Sequence, residues 1–286
     1  MAGEEDLTAQ APAPKATTWS PLRERTFRML WLVWAASNVS MWMNDVAAAW
    51  LMTSLTTSPT IIALVQTASA LPVFLLGIPS GALADIVDRR RYFMVTQFWV
   101  ATTAAVLFAA TATGALNATL LLVLVFANGI GLAMRWPVYA AIVPELVGRQ
   151  QLASALALNA VAVNFSRVVG PLLAGAIIAS LGDEYVFALN FCIAVVASVV
   201  ISRWKRESTP SVLPGERFIG AMRLGLQYVR ESGRMKDALV RTAVFFFHAT
   251  SLFALMPLVA KRFTDTGGGA GTYTALLSCI GLGAIG

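Results

Sequence analysis

Charge is what this sequence has least of. Asp, Glu, Lys and Arg make up only 13% of its 286 residues, hydrophobic residues make up 57%, and the mean hydropathy is +0.70. An ordinary soluble domain is nearer one quarter charged. The chain has too little polar surface to coat a particle of its size in water, which excludes a soluble enzyme. Histidine occurs once, at His248, and cysteine twice, at Cys192 and Cys279, each inside an apolar run. Such a set assembles neither a zinc cluster nor a disulfide framework, and the two thiols read as small buried hydrophobes. The patterns GxxxxGK[ST], GxSxG, HExxH and CxxC are missing. Their absence excludes an ATP-driven pump of the P-loop kind and the commoner hydrolase and metalloprotease sites, and no cofactor is expected.

Long apolar runs are abundant. About 20 apolar residues suffice for a helix to cross ~30 Å of hydrocarbon at 1.5 Å per residue. Seven stretches qualify, near Met29 to Ser54, Ile61 to Leu83, Tyr92 to Thr113, Ala118 to Val143, Leu152 to Leu181, Tyr185 to Ile201 and Ala238 to Ala260, and an eighth starts near Thr272. Short turn-rich connections (TTSPT, TGALNAT, SLGDEY) make consecutive spans antiparallel neighbours. The fold expected is an all-α polytopic membrane protein.

The basic residues alternate with these runs. Four flank the first span (Lys15, Arg23, Arg25, Arg28), three follow the second (Arg89 to Arg91), Arg149 follows the fourth, and nine surround the long loop after the sixth. Only Lys261 and Arg262 fall on the opposite side, and Arg135 and Arg167 lie within spans. By the positive-inside rule the N-terminus is cytoplasmic. The net charge of +6 therefore reads as topology, and no nucleic-acid partner is expected. Residues 1–20 form a disordered cytoplasmic tail, 21–203 a six-helix bundle, 204–237 a cytoplasmic loop, and 238–286 the first two helices, incomplete, of a second bundle. Phe218, Met222, Leu226 and Val229 recur at helical spacing within the loop, as either an interfacial helix on anionic lipid or a solvated linker helix. Ending part-way into the eighth span, the chain reads as the N-terminal piece of a longer frame whose remaining helices are its partners.

The sharpest local signal is GALADIVDRRR, Gly81 to Arg91. Glycine permits close backbone approach, Asp85 caps or pairs at a helix end, and the arginines anchor the turn to the phosphate side. Gly81, Asp85, Arg89 and Arg90 match the Gly-x-x-x-Asp-x-x-Gly-Arg-Arg loop between helices 2 and 3 of the major facilitator superfamily, with Asp88 in place of its second glycine. The sequence resembles that family, and its Asp-Arg-Arg ending resembles the branch of siderophore exporters and related effluxers. Pro144, Glu145 and Arg149 are similar to the Pro-Glu-x-x-Arg ending of the family's fourth helix, with the arginine one residue late. Gly170, Pro171 and Gly175 resemble the Gly-Pro element of its exporters, and proline there bends the fifth helix while glycines let it pack closely. The resemblance implies two six-helix halves of inverted three-helix repeats in the bacterial inner membrane. They would rock about a central site and export a small amphipathic organic molecule against protons.

Ionisable groups inside a bilayer cost several kcal/mol unless paired or wet, so they mark mechanism. Here they are Asp45, Arg135 and Arg167. Trp34, Asn38, Met41 and Asp45 fall on one stripe of the first helix, which is expected to face a cavity. Asp45 and Arg167 lie at matching depths of about 24 and 22 Å. They form either a proton-coupling pair or a static salt bridge from the first helix to the fifth. Asn164 shares the face of Arg167, Arg135 reaches the interface by snorkelling, and His248 lines the path or titrates near neutrality. Phe245 to Phe247, Trp42 and Met43 read as packing, with Trp136 and Tyr139 the aromatics best placed to meet a ligand. A membrane-embedded enzyme and a non-transporting receptor on a transporter scaffold are the alternatives at this stage.

Overall fold

The computed structural model describes residues 17–204, 227, 229–263 and 269–283. Among these residues all regular structure is helical. A 3-10 turn, Ser20–Arg23, leads into α1 (Arg25–Leu55), α2 (Pro59–Ile86), α3 (Arg89–Ala112) and α4 (Ala118–Leu146). A second 3-10 turn, Arg149–Gln151, precedes α5 (Leu152–Ser180) and α6 (Asp183–Arg203), and α7 (Gly233–Arg262) and α8 (Ala270–Gly283) follow. The expected amphipathic loop helix, apart from Val229, lies outside the described residues, as does most of the expected N-terminal tail.

Local chemistry sets the ends. Pro59 starts α2, where its missing N–H costs no bond. The side chain of Asn117 accepts from the Leu120 N–H at 2.9 Å to open α4, and Ser232 accepts from Met235 to open α7. Between α5 and α6 the chain turns at Gly182, whose φ of +123° suits glycine alone.

Helices α2 to α7 are each long and apolar enough to cross a membrane. α1 falls short on composition, although its 31 residues suffice in length. Asn38, Asn44, Asp45 and several serines dilute it, and they do so because α1 is largely buried in the bundle, where polar groups find partners. Asn190 on α6 takes a hydrogen bond from Ser40 and gives one to Asn44 at 3.1 Å. Gln97 on α3 donates to Ser37 at 3.4 Å.

The bundle has an internal two-fold pattern. α1 packs on α5 as α4 packs on α2, α1 meets α6 as α4 meets α3, and α3 and α6 lie against each other. Exchanging α1–α3 with α4–α6 leaves this map unchanged, and each triplet runs opposite to the other, which is an inverted repeat. A glycine sits in each of the equivalent interfaces. A Cβ on Gly170 would meet Trp42 Cβ at 2.5 Å, and one on Gly129 would meet the Ser69 carbonyl at 2.8 Å. Small residues there let backbones approach closely where no hydrophobic drive exists between helix and lipid. Large apolar side chains cover the outside, among them Phe74 at 83% and Phe247 at 75% exposure. Cys192 and Cys279 are exposed too. The expectation that they are buried fails because apolar runs in a lipid-facing bundle point outward as readily as inward.

Candidate functional site

A cavity of about 510 Å³ lies between α1, α2 and α5 on one side and α7 and α8 on the other. Asp45 and Trp42 reach it from α1, Arg167 and Pro171 from α5, Phe246 from α7 and Tyr273 from α8. Asp45 accepts a hydrogen bond from Ser69 at 3.3 Å. The Arg167 guanidinium stacks over Trp42, 5.5 Å from the ring centroid, and its Nε is buried without a hydrogen-bond partner. No ion pair joins Asp45 to Arg167 among the described residues. The matching depths bring both charges to one cavity, but the indole of Trp42, one helical turn from Asp45, takes the cation instead. Asp45 also borders a second cleft of about 410 Å³ on the α2 and α4 side, with Met41, Phe74 and Trp136. Its carboxylate thus stands between two spaces.

Other expected path residues lie elsewhere. Asn38 is fully buried and donates to the Trp34 carbonyl at 2.7 Å, so the α1 stripe turns from cavity to core along its length. Asn164 is half-buried and outside the lining of either space. Arg135 does not snorkel. Only 2% exposed, it donates to the Ser37 carbonyl at 3.3 Å and stacks 5.4 Å from the Trp34 centroid. Its side chain is buried between α4 and α1, which leaves it no route outward. His248 is exposed, bonds the Val244 carbonyl of its own helix, and is not among the residues lining the cavity. Those two phenylalanines, expected to pack, form cavity wall. Trp136 lines the second cleft, whereas Tyr139 is buried, stacked on Trp34 and bonded to Asn159 at 3.1 Å. Sequence reasoning missed Ser69 and Gln66. Their three-residue spacing in an apolar helix was the signal, one polar face of α2.

At the basic end, Arg89 donates to the Ala84 carbonyl at 3.1 Å, to the Ala141 carbonyl at 2.9 Å, and to Glu145 at 2.6 Å. It staples α3 to the ends of α2 and α4. Arg90 reaches the carbonyls of Ile201 and Ser202 at the end of α6. Asp88 accepts from the Arg91 N–H at 2.8 Å and caps α3, which accounts for an acid in place of glycine. Asp88→Ala is expected to cost about 1 kcal/mol and Asp88→Gly only a few tenths, measurable as thermal midpoints of the purified protein. Equal loss in both variants would show that the cap is not what Asp88 supplies. Arg149 is exposed and has no hydrogen bond or ion pair among the described residues, whereas Glu145 engages the loop. Among the described residues, a Cβ on Gly81 would meet nothing within 4 Å. The Asp85 side chain lies outside the described residues. On α5, Gly170 packs on α1 beside Pro171, and a Cβ on Gly175 would collide with Thr274 of α8.

Residues 16–286 match the family model of the transmembrane secretion effectors, a branch of the major facilitator superfamily. The chain belongs to that family. Among curated members it is similar to macrolide efflux protein A of Streptococcus pyogenes, at 22% identity over 83% of this chain and 59% of the relative. The staphyloferrin A transporter of Staphylococcus aureus is 24% identical over 48% of this chain and 35% of its own length. The chain thus spans somewhat over half the length of the macrolide efflux relative. A crystal structure of a bacterial homologue of the human lysosomal transporter Spinster, inward-facing and unoccupied, shares the fold. Its TM-score is 0.53 and its identity 18%, over 66% of this chain and 44% of that one.

Proposed function

We propose that this chain is part of a secondary transporter that exports a small amphipathic organic molecule in exchange for protons. It would sit in the bacterial inner membrane with its N-terminus in the cytoplasm. The observation that carries the reading is the cavity that Asp45 and Arg167 both line, with no ion pair between them among the described residues, between the six-helix bundle and α7 with α8. A carboxylate at such a boundary takes a proton when the space opens to one side and releases it when the space opens to the other. The Arg167 cation, lining the same cavity, is placed to hold an anionic substrate group. Aromatic walls from Trp42, Phe246 and Tyr273 suit an amphipathic cargo, in keeping with the relatives named for macrolide efflux and staphyloferrin A transport. The end-wise split of basic residues, with Arg25, Arg89 and Arg203 at one end and Lys261 and Arg262 at the other, supports the orientation.

The test is Asp45→Asn in the full-length transporter, assayed in inverted vesicles with a labelled macrolide and, separately, staphyloferrin A. Transport driven by a pH gradient is expected to fall at least tenfold while exchange of substrate for substrate persists. Undiminished gradient-driven transport would remove Asp45 from the coupling step.

A further inference from the structure

Away from the cavity, a second concave surface lies on the outside of the bundle between α1 and α6. It is a groove of about 500 Å³, walled by Met29, Leu32 and Val33 from α1 and by Leu189, Val196 and Val200 from α6, with Cys192 midway. Its only polar side-chain group is that thiol, a weak donor, so whatever fills it is hydrocarbon. α7 and α8 pack chiefly on α1, α2 and α5, which keeps this groove apart from the transport cavity. From Leu189 to Val200 it runs about 16 Å along α6, close to half of the ~30 Å hydrocarbon thickness, which is the depth of one leaflet.

One end of the groove is basic on both walls. Arg203 follows Val196 and Val200 on the same stripe of α6, and Arg25 precedes Met29, Leu32 and Ala36 on the same stripe of α1. Both are exposed and neither has an ion pair among the described residues. Beside Arg25, Arg23 and Arg28 outnumber Glu24. The carbonyls of Ile201 and Ser202, which would repel an anion beside Arg203, are already taken by Arg90. A one-leaflet apolar slot with an arginine next along the stripe of each wall has the charge and length of a single acidic lipid.

We propose that this groove is a binding site for one anionic phospholipid, with an acyl chain held between α1 and α6 and the phosphate held by Arg25 and Arg203.

Cys192 reports on occupancy. In delipidated full-length protein in detergent, with its other cysteines replaced by serine, alkylation of Cys192 by N-ethylmaleimide is followed with phosphatidylglycerol or phosphatidylcholine added. Phosphatidylglycerol is expected to slow the reaction at about one tenth of the concentration that phosphatidylcholine needs, as two basic contacts allow. The double variant Arg25→Gln with Arg203→Gln is expected to abolish that preference. Ala36→Trp, which fills the groove from an exposed position, is expected to remove the tightly bound phosphatidylglycerol seen by native mass spectrometry. Equal protection by the two lipids would overturn the headgroup contact, and retention of the lipid by Ala36→Trp would overturn the acyl contact. Protection of Cys192 before any lipid is added would show that another segment or a second copy covers the groove, and would overturn the site altogether.

Discussion

Gly170→Val is expected to lower the thermal midpoint of the purified protein by ~5–10 °C, the shift that about 3 kcal/mol produces in a chain of this size. The first added atom would stand 2.5 Å from Trp42 Cβ and 3.0 Å from the Val39 carbonyl oxygen. Neither is the far end of a flexible side chain, so α1 and α5 must separate. That separation reaches the cavity, because Trp42 is the ring on which Arg167 rests and Pro171, next to Gly170, lines the same space. Transport should therefore fall along with stability, and should fall even at temperatures where the variant remains folded. Gly81→Ala is the control. Nothing lies within 4 Å of the added atom, and alanine in place of glycine within a helix stabilises by roughly 0.5–1 kcal/mol. Circular dichroism melts in one detergent compare the two. If both variants melt together, the close contact of α1 with α5 is not what glycine at this position provides.

Much of this arrangement is legible in the sequence, and the parts that are not have a common cause. Span positions follow from hydropathy, because lipid outside and apolar side chains inside impose the same composition on every helix. For that same reason composition says little about facing. Phe245 and Phe246 read like Phe247, yet two line a cavity and one faces outward. The cysteines read as buried and are exposed. α1 shows the reverse case, since polar residues such as Ser37 and Asn44 lower its hydropathy and bond other helices, a long-range fact that no local pattern contains. The loop motif was readable in its residue types but not in its partners. Glu145 engages Arg89, whereas Arg149 has no ion pair among the described residues, because α4 ends at Leu146 and the chain is extended at Val147 before Arg149. Depth counting brought Asp45 and Arg167 to one level, while the side chain that separates them, Trp42, lies one turn along the same helix.

Arg135→Met is expected to give a protein that is more stable and does not transport. The guanidinium is 2% exposed. Its contacts are a 3.3 Å bond to the Ser37 carbonyl, a 3.9 Å contact with Met41 Sδ and the face of Trp34, while Nε has no partner. No carboxylate pairs with it among the described residues. A charge held this way recovers little of the several kcal/mol that its burial costs, and a well-packed apolar side chain of similar length often improves stability by about 1–4 kcal/mol. Methionine fits, since it keeps the unbranched stem and sets sulfur against the same indole. An uncompensated charge that costs stability is retained where it acts, and Arg135 ties α4 to α1 beside Met41, which borders the cleft reaching Asp45. In the exchange cycle proposed above, a carboxylate or anionic substrate that meets this cation would have no such partner in a thioether. The expected result is a raised thermal midpoint with transport per folded molecule reduced more than tenfold. If the arginine serves only to join α4 to α1, the midpoint will drop, and transport will decline no further than the amount of folded protein does.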